Sequence, residues 1–527
     1  MTEDTSTLTL GPLDTLSGSG RGLPQVPALT IAWHPAASRV GTIAPLTALL
    51  ESESAPLNRD EPLFYTPGSN VGRSIDHRGM SREPVLVVQS TGKTLELRRG
   101  SATKSEIDLD GVPFTGTRRL TAEDLKKGLV LTVARQFVFI LHGVHFPITR
   151  SPPLGLLGAG DAIEDIRRLI TKVADLPAPV LVRGESGTGK ELVAAAIHET
   201  SGRRSKPLIA VNMSLIRPER AAAELFGYEK GSFTGATESH PGHFRAAHGG
   251  TLFLDEIGLT PPDVQPMLLR VLDDHKVQPL GAAQARAVDV RLIAATDARL
   301  EDAVSAGRFE PALFHRLNSA VQIALPPLHE RREDIGLLLV TFLRQHLAAM
   351  NALQRLDEPA EKTAHWLLAR TVAAICSSPW AGNIRALKGL ARDLALRSAD
   401  GPSFNASKFV TAYLQNQRAL APARPLAPSV QPTPVRARAG EISNDQILDA
   451  FDQSGWNITS AAKALGIDKS TLSRRLVKEP SIQLLAKTTL ADLLRRKEAC
   501  AGDLDVLAAE LGVPPALLAR RLRSSPA

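Results

Sequence analysis

The stretch Val180-Leu181-Val182-Arg183-Gly184-Glu185-Ser186-Gly187-Thr188-Gly189-Lys190-Glu191 decides how the middle of the chain folds. An apolar run enters GxxxxGK, and the helical run ELVAAAIHET (191–200) follows it. Strand, glycine loop and helix in that order let backbone N–H groups close around phosphate oxygens at a helix N-terminus. Lys190 is then placed to reach the β- and γ-phosphates of a bound triphosphate. The residue after the lysine is Glu191, so the usual Ser/Thr hydroxyl ligand to Mg2+ is missing there.

A second element lies 65 residues after Lys190, where Thr251-Leu252-Phe253-Leu254-Asp255-Glu256 reads as a buried strand ending in two carboxylates. Adjacent acids at a strand end divide the work: one holds Mg2+ and the other polarises the attacking water. Asp255 takes the metal and Glu256 the water, which predicts ATP hydrolysis. Around them, from 154 to 397, the runs PVLVRG, PLIAVN, GTLFLDE, DVRLIAAT and VQIALP alternate with helical stretches. That alternation predicts an α/β domain with a parallel sheet.

The whole chain has 527 residues, enough for three or four domains. With 43% hydrophobic and 22% charged residues, wholesale disorder is excluded. No apolar run reaches the roughly 18–20 residues of a spanning helix. The start, MTEDTSTLTLGPLDTLSGSG, lacks the basic and apolar regions of a secretory signal. Two cysteines, Cys376 and Cys500, build no disulfide framework or metal site, which fits a reducing cytoplasm. The net charge of +7 permits an anionic partner.

Composition sets the boundaries. Residues 1–26 are Ser/Thr/Gly/Pro-rich and read as a disordered tail. Within 27–148, short β-type runs (LTIAWHP, PVLVVQS, KTLELRR, GLVLTVA, FVFILHG) separated by Gly, Ser and Asp predict a β-sandwich. Residues 398–440 read as a Pro-rich linker; its stretch 418–438 holds five prolines, four arginines and no acid. Residues 441–480 and 487–527 read as short helices only.

The segment Glu224-Leu-Phe-Gly-Tyr-Glu-Lys-Gly231-Ser232-Phe233-Thr234-Gly235-Ala236 closely resembles the sigma-54-dependent transcriptional activators, or bacterial enhancer-binding proteins, a branch of the AAA+ ATPases. Their hallmark GAFTGA loop is GSFTGA here, and the resemblance runs through 154–397, including GESGTGKE, GGTLFLDEI, LPPLHERREDI and PWAGNIRAL. It implies a ring of subunits with a helical lid, ATP and Mg2+ at each junction, and a loop whose Phe233 and Thr234 touch sigma-54. It also implies that Asn212 holds the catalytic glutamate, that Arg385 is the sensor II arginine, and that Arg316 reaches the neighbouring subunit's phosphates. Such a finger is worth roughly 10³–10⁵ in rate where measured. Two departures stand out. Glu310 replaces the first trans arginine, with Arg308 two positions earlier, and the sensor I pair is Thr296-Asp297.

Val71-Gly72-Arg73-Ser74 and Gly79-Met-Ser81-Arg82, with strands between, resemble a forkhead-associated domain. The resemblance implies a phosphothreonine partner held by Arg73 and Ser81. The histidine expected three residues after Ser81 is Pro84, and the expected asparagine is Thr103, so a regulatory sandwich without phosphate binding stays open.

Asn457 to Leu476 reads as a helix–turn–helix of the Fis type, with Ala462 for close approach, Gly466 for the turn and Leu472 packing back. Lys469, Ser470, Thr471, Ser473 and Arg474 are candidates for the DNA groove and Arg475 for phosphate. Shifted by 46, residues 503–522 match 457–476 at seven of 20 positions, which predicts a second helix–turn–helix. Its Pro514-Pro515-Ala516-Leu517 offers no hydrogen-bonding side chains for base reading, so phosphate contact or dimer packing is expected of it. With 12 basic and 11 acidic residues over 441–527, the region is no basic patch.

Together these predict a cytoplasmic ATP-driven activator of sigma-54 RNA polymerase, tethered to upstream enhancer DNA. Two rivals are a regulator that binds ATP with little hydrolysis, favoured by Glu310, and an AAA+ machine unrelated to sigma-54, opposed by the GSFTGA loop.

Overall fold

The computed structural model describes residues 25–91, 94–146, 148, 150–297, 299–319, 321–356, 366–398, 404–420, 444–454, 456–465, 469–476, 479–488, 490–500 and 503–523. Residues 1–24 of the expected tail lie outside them; Gln25 already begins a strand. The chain divides into two compact units, residues 1–422 and 423–527.

The first unit opens with two antiparallel sheets, as the β-type runs predicted. One has eight strands in the order Gly72–Arg73, Phe64–Tyr65, Ile43–Pro45, Gln25–Trp33, Phe137–His145, Leu129–Val133, Ile107–Leu109, Val112–Pro113. The other has four: Thr117–Leu120, Thr94–Arg99, Leu86–Thr91 and Ser54–Leu57. The central strands of the larger sheet do not alternate. Every residue of Val26–Trp33 is buried, and Phe137 through Leu141 are fully so. Continuous burial means a sheet covered on both faces. The smaller sheet covers one face, and helices Arg332–Ala349 and Ala369–Cys376 cover the other.

The second layer is a five-stranded parallel sheet in the order Leu208–Asn212, Thr251–Asp255, Arg291–Thr296, Val180–Arg183, Val321–Ala324. All five strands were legible as apolar runs. Parallel register brings the carboxyl ends of the strands to one edge, where Gly184, Asn212, Asp255 and Thr296 gather; ligands of open α/β sheets bind at such an edge.

A helical lid follows, made of Arg332–Ala349, Ala369–Cys376, Asn383–Arg397 and Ala406–Leu420. The last helix falls inside the stretch read as linker. Ala406, Val410 and Leu414 are buried in the shared core, so the chain is packed there rather than extended.

The second unit is helical, with one core that includes Ile447, Phe451, Trp456, Leu472, Leu493, Leu507 and Leu518. Helices Ile458–Ala464 and Lys469–Leu476 stand where the helix–turn–helix was expected. Ser473 is half-buried and Arg474 exposed. The side chains of Lys469, Ser470, Thr471 and Arg475, and the turn around Gly466, lie outside the described residues.

Candidate functional site

The loop after strand Val180–Arg183 turns through two left-handed glycines, Gly187 (φ 79°) and Gly189 (φ 107°). Only glycine enters this conformation without steric cost. At Gly187 a Cβ would also lie 2.4 Å from the Gly382 carbonyl, so the loop is pressed against the lid. Helix Lys190–Thr200 starts directly behind it. The Lys190 side chain is 7% exposed; its Nζ donates to the Gly184 carbonyl at 2.9 Å and lies 3.8 Å from Glu256 Oε1. Gly184, Glu185, Ser186, Gly187, Thr188, Gly189, Lys190 and Glu191 thus form one turn from strand into helix N-terminus, the order that the spacing predicted.

Glu256 follows the strand Thr251–Asp255 in a left-handed conformation (φ 54°), which is uncommon for a residue with a Cβ. Its N–H donates to its neighbour Asp255 Oδ1 at 3.0 Å. Burial pushes the Glu256 carboxyl up, Lys190 opposes the rise, and a hydrogen bond and the charge of Asp297 add to it. The departure at sensor I therefore sits directly against Glu256.

Asn212 corrects the sequence reading. Its Nδ2 donates to Asp255 Oδ2 at 3.0 Å, not to Glu256. The reason is register: Asn212 and Asp255 are paired across adjacent parallel strands, while Glu256 has already turned away. The Asn212 Oδ1 accepts from the Ser214 backbone at 2.9 Å.

The described residues hold no group of three or more His, Cys, Asp and Glu side chains able to cage a metal. Asp255, with one oxygen oriented by Asn212, suits an ion such as Mg2+ that keeps waters and phosphate oxygens in its shell.

The lid supplies residues that the reading did not single out. Asn383, fully buried, donates from Nδ2 to Glu185 Oε2 and the Ser186 carbonyl, both at 3.0 Å, while its Oδ1 accepts from Leu328 N–H at 2.7 Å. Arg331 Nη2 reaches the Thr188 carbonyl at 3.3 Å. Arg385, the expected sensor II residue, is exposed and donates to Ser186 Oγ at 3.1 Å. Asn383 and Arg331 stand inside the quoted motifs GNIRAL and HERRED, which was the only signal for them.

Arg316 lies on helix Pro311–Asn318, exposed, with its Nε 3.2 Å from Asp273 Oδ1 and its Nη2 donating to the Leu272 carbonyl at 3.1 Å. Within one chain the expected finger is held by its own subunit. Glu310 occupies the N-cap position of that helix without a side-chain capping bond. Arg308, two positions before Glu310, lies outside the helix.

Gly231 (φ 82°) and Gly235 (φ 102°) bound a tight loop closed by Gly231 N–H to the Ala236 carbonyl at 2.8 Å. Ser232 is half-buried, Thr234 exposed and Ala236 buried. Phe233 remains 46% exposed, its ring edge-on to Tyr228 at 5.0 Å. The base of the loop is tied to a hairpin absent from the reading, Lys276–Val277 with Arg286–Ala287, through Glu229 N–H to the Leu280 carbonyl and the Arg286–Glu229 ion pair.

In the sandwich, Arg73 is exposed at an edge, and its carbonyl accepts from Arg39 at 3.1 Å. Burial, then the Arg73 charge, lowers the Arg39 guanidinium, so two cations stand together. Ser81 Oγ accepts from Glu83 N–H at 3.1 Å. No helix among the described residues is long and apolar enough to cross a membrane.

This fold and site define a P-loop NTPase domain of the AAA+ class joined to a DNA-binding helix–turn–helix, and similarity to known proteins agrees. Residues 156–323 match the Sigma-54 interaction domain and 440–478 the Fis family of bacterial regulatory proteins. The chain is 38% identical over 341 residues to the transcriptional regulatory protein ZraR of Salmonella typhimurium, covering 63% of this chain and 71% of that protein. It is 44% identical over 248 residues to the DNA-binding transcriptional regulator NtrC of Escherichia coli, covering 47% and 50%. A crystal structure of NtrX from Brucella abortus in complex with ADP is 30% identical, with a TM-score of 0.43, covering 61% of this chain and 69% of that one. The chain belongs to the sigma-54-dependent transcriptional activator family.

Proposed function

We propose that the chain hydrolyses ATP at the junctions of a homo-oligomeric ring and uses the cycle to drive the Gly231–Ala236 loop against sigma-54. The observation that carries this reading is the convergence of Lys190, Glu256, Asp255 and Asn212 at the strand ends. In it, Lys190 and the loop N–H groups hold the phosphates. Asp255 holds the magnesium ion, which supplies charge neutralisation at the phosphates. Glu256 orients and polarises the attacking water, and Arg316 of each subunit is released from Asp273 to reach the next subunit's nucleotide. The two-glycine boundary lets the loop change shape, and Phe233 and Thr234 at its tip are the groups offered to sigma-54. The C-terminal unit tethers the ring to upstream DNA through Ser473 and Arg474 and their neighbours. Arg73, with Arg39 beside it, and Ser81 would take a phosphothreonine-bearing protein that regulates assembly. The ATP-binding-only alternative rests on Glu310 alone, at the N-cap position of helix Pro311–Asn318.

The test is ATPase rate against protein concentration together with promoter opening by sigma-54 polymerase. Thr234→Ala is expected to keep hydrolysis within about twofold while losing promoter opening, because it leaves the phosphate site untouched. A Thr234→Ala chain that still opens promoters would sink the loop assignment.

A further inference from the structure

The duplication at the C-terminus extends beyond the 20 positions compared in sequence. Helix Asn444–Gln453 moved by 46 residues gives 490–499, and a helix spans Leu490–Ala499. Helices Ile458–Ala464 and Lys469–Leu476 move onto the starts of Leu504–Leu511 and Pro515–Arg523. Burial repeats with the same shift. Ile447 and Leu493, Ala461 and Leu507, Ala462 and Ala508, and Leu472 and Leu518 are each no more than 2% exposed. Chance composition does not place helix starts and buried positions in one register, so this is a second copy of a three-helix unit.

The copies differ where a duplex would be read. Ser470, Thr471 and Ser473 of the first correspond to Ala516, Leu517 and Ala519 of the second. Base edges are recognised by hydrogen-bonding side chains, and the second copy has none at those positions. Arg474 and Arg520 correspond, but their surroundings do not. Arg474 is exposed, whereas Arg520 bridges Asp449 and Asp452 on the first helix of the first copy. Arg521 is 6% exposed, with its guanidinium 5.3 Å from the Trp456 ring centre. The positions equivalent to Asp449 and Asp452 are Arg495 and Glu498, so the second copy keeps only one of the two carboxylates that hold Arg520. That asymmetry leaves one cation outward and turns the other inward.

We infer that the second helix–turn–helix is a non-reading copy that serves as an internal partner for the first, with Arg520 as the positioning residue that holds the DNA-reading copy in place. Of the two roles expected from sequence, phosphate contact is thereby withdrawn for Arg520, and packing is within the chain. The inference rests on the DNA-binding reading only for the role of the first copy. Each chain presents one reading face to a duplex.

The test uses the full chain and a labelled mixed-sequence DNA duplex, with binding followed across a salt series. Arg474→Gln should flatten the slope of log affinity against log salt by about 0.9, the loss of one cation facing the duplex. Arg520→Gln should leave the slope unchanged. In the absence of DNA, Arg520→Gln should speed amide exchange of residues 444–476 by roughly tenfold. The swap Arg520→Asp with Asp449→Arg and Asp452→Arg should restore protection. A slope flattened by Arg520→Gln as much as by Arg474→Gln, with exchange unmoved, would overturn the inference. Exchange is measured without DNA, so a chain that failed to bind duplex would defeat the DNA-binding reading while this arm still decided the role of Arg520.

Discussion

The carbonyl oxygen of Ala32 lies 2.2 Å from where a Cβ would stand on Gly336. A strand of the sandwich and a helix of the ATPase lid therefore meet backbone to backbone. Around this contact Arg332 donates to the Gly128 carbonyl at 3.2 Å, and the two domains share one apolar core. Replacing Gly336 by Ala sets two effects against each other. Helix propensity favours Ala by about 1 kcal/mol. Overpacking costs about 1–3 kcal/mol, and here the obstacle is backbone that cannot rotate away. Gly336→Ala should lower the thermal unfolding midpoint; a raised midpoint would show that the domains are not in this contact.

Asn212 orients the carboxylate proposed to hold the metal, and this predicts a particular phenotype. Asn212→Ala should raise the Mg2+ concentration for half-maximal ATPase by about tenfold, the range seen when an outer-shell partner of a ligand is removed. The rate at saturating Mg2+ should change little. A large fall in kcat with an unchanged Mg2+ requirement would instead assign Asn212 to Glu256.

Asp273 holds Arg316 within its own subunit, and both side chains are about half exposed. An exposed pair is worth about 0–1 kcal/mol. Asp273→Ala should therefore shift the protein concentration for half-maximal ATPase downward by about two- to fivefold. Arg316→Ala should abolish the rate at every concentration. An Asp273→Ala chain needing more protein than the parent would mean that the contact guides the arginine rather than restrains it.

His34 sets an acid limit on the sandwich. It is buried beside the His77 and Phe137 rings, and its Nδ1 accepts from the Ala36 N–H at 2.9 Å. Burial first, then the Arg39 and His77 charges, lowers its pKa to about 4. Between pH 6.5 and 4 the unfolded chain binds the proton and the folded one does not, so stability rises with pH across that window. From pH 7 to 5 this amounts to a loss of about 2 kcal/mol, measurable by urea unfolding. His34→Gln should flatten that part of the curve. An unchanged pH dependence in the variant would place the proton elsewhere.

The phosphate site was legible because its chemistry fixes residue types at fixed spacing, from Gly184 to Lys190 and again at Asp255 and Glu256. The three central parallel strands were legible because strands buried on both faces read as unbroken apolar runs. Strands of two or three residues, such as Ile43–Pro45 and Ile107–Leu109, carry no period to read. The helix Ala406–Leu420 did carry one, with Ala406, Phe409, Val410, Tyr413 and Leu414 in helical spacing, but the neighbouring prolines hid it. The pairing of Asn212 depended on a register between strands 43 residues apart. Contact between Ala32 and Gly336 spans some 300 residues, and no local pattern announces it.

The shared core of sandwich and lid makes the amino-terminal domain a pointer. Asn383, Arg331 and Arg385 tie the lid to the Gly184–Lys190 loop, so a nucleotide-driven movement of that loop would pass through the lid to the sandwich. A dye on the smaller sheet, at exposed Arg98, would then report each turnover as a swing of the whole arm.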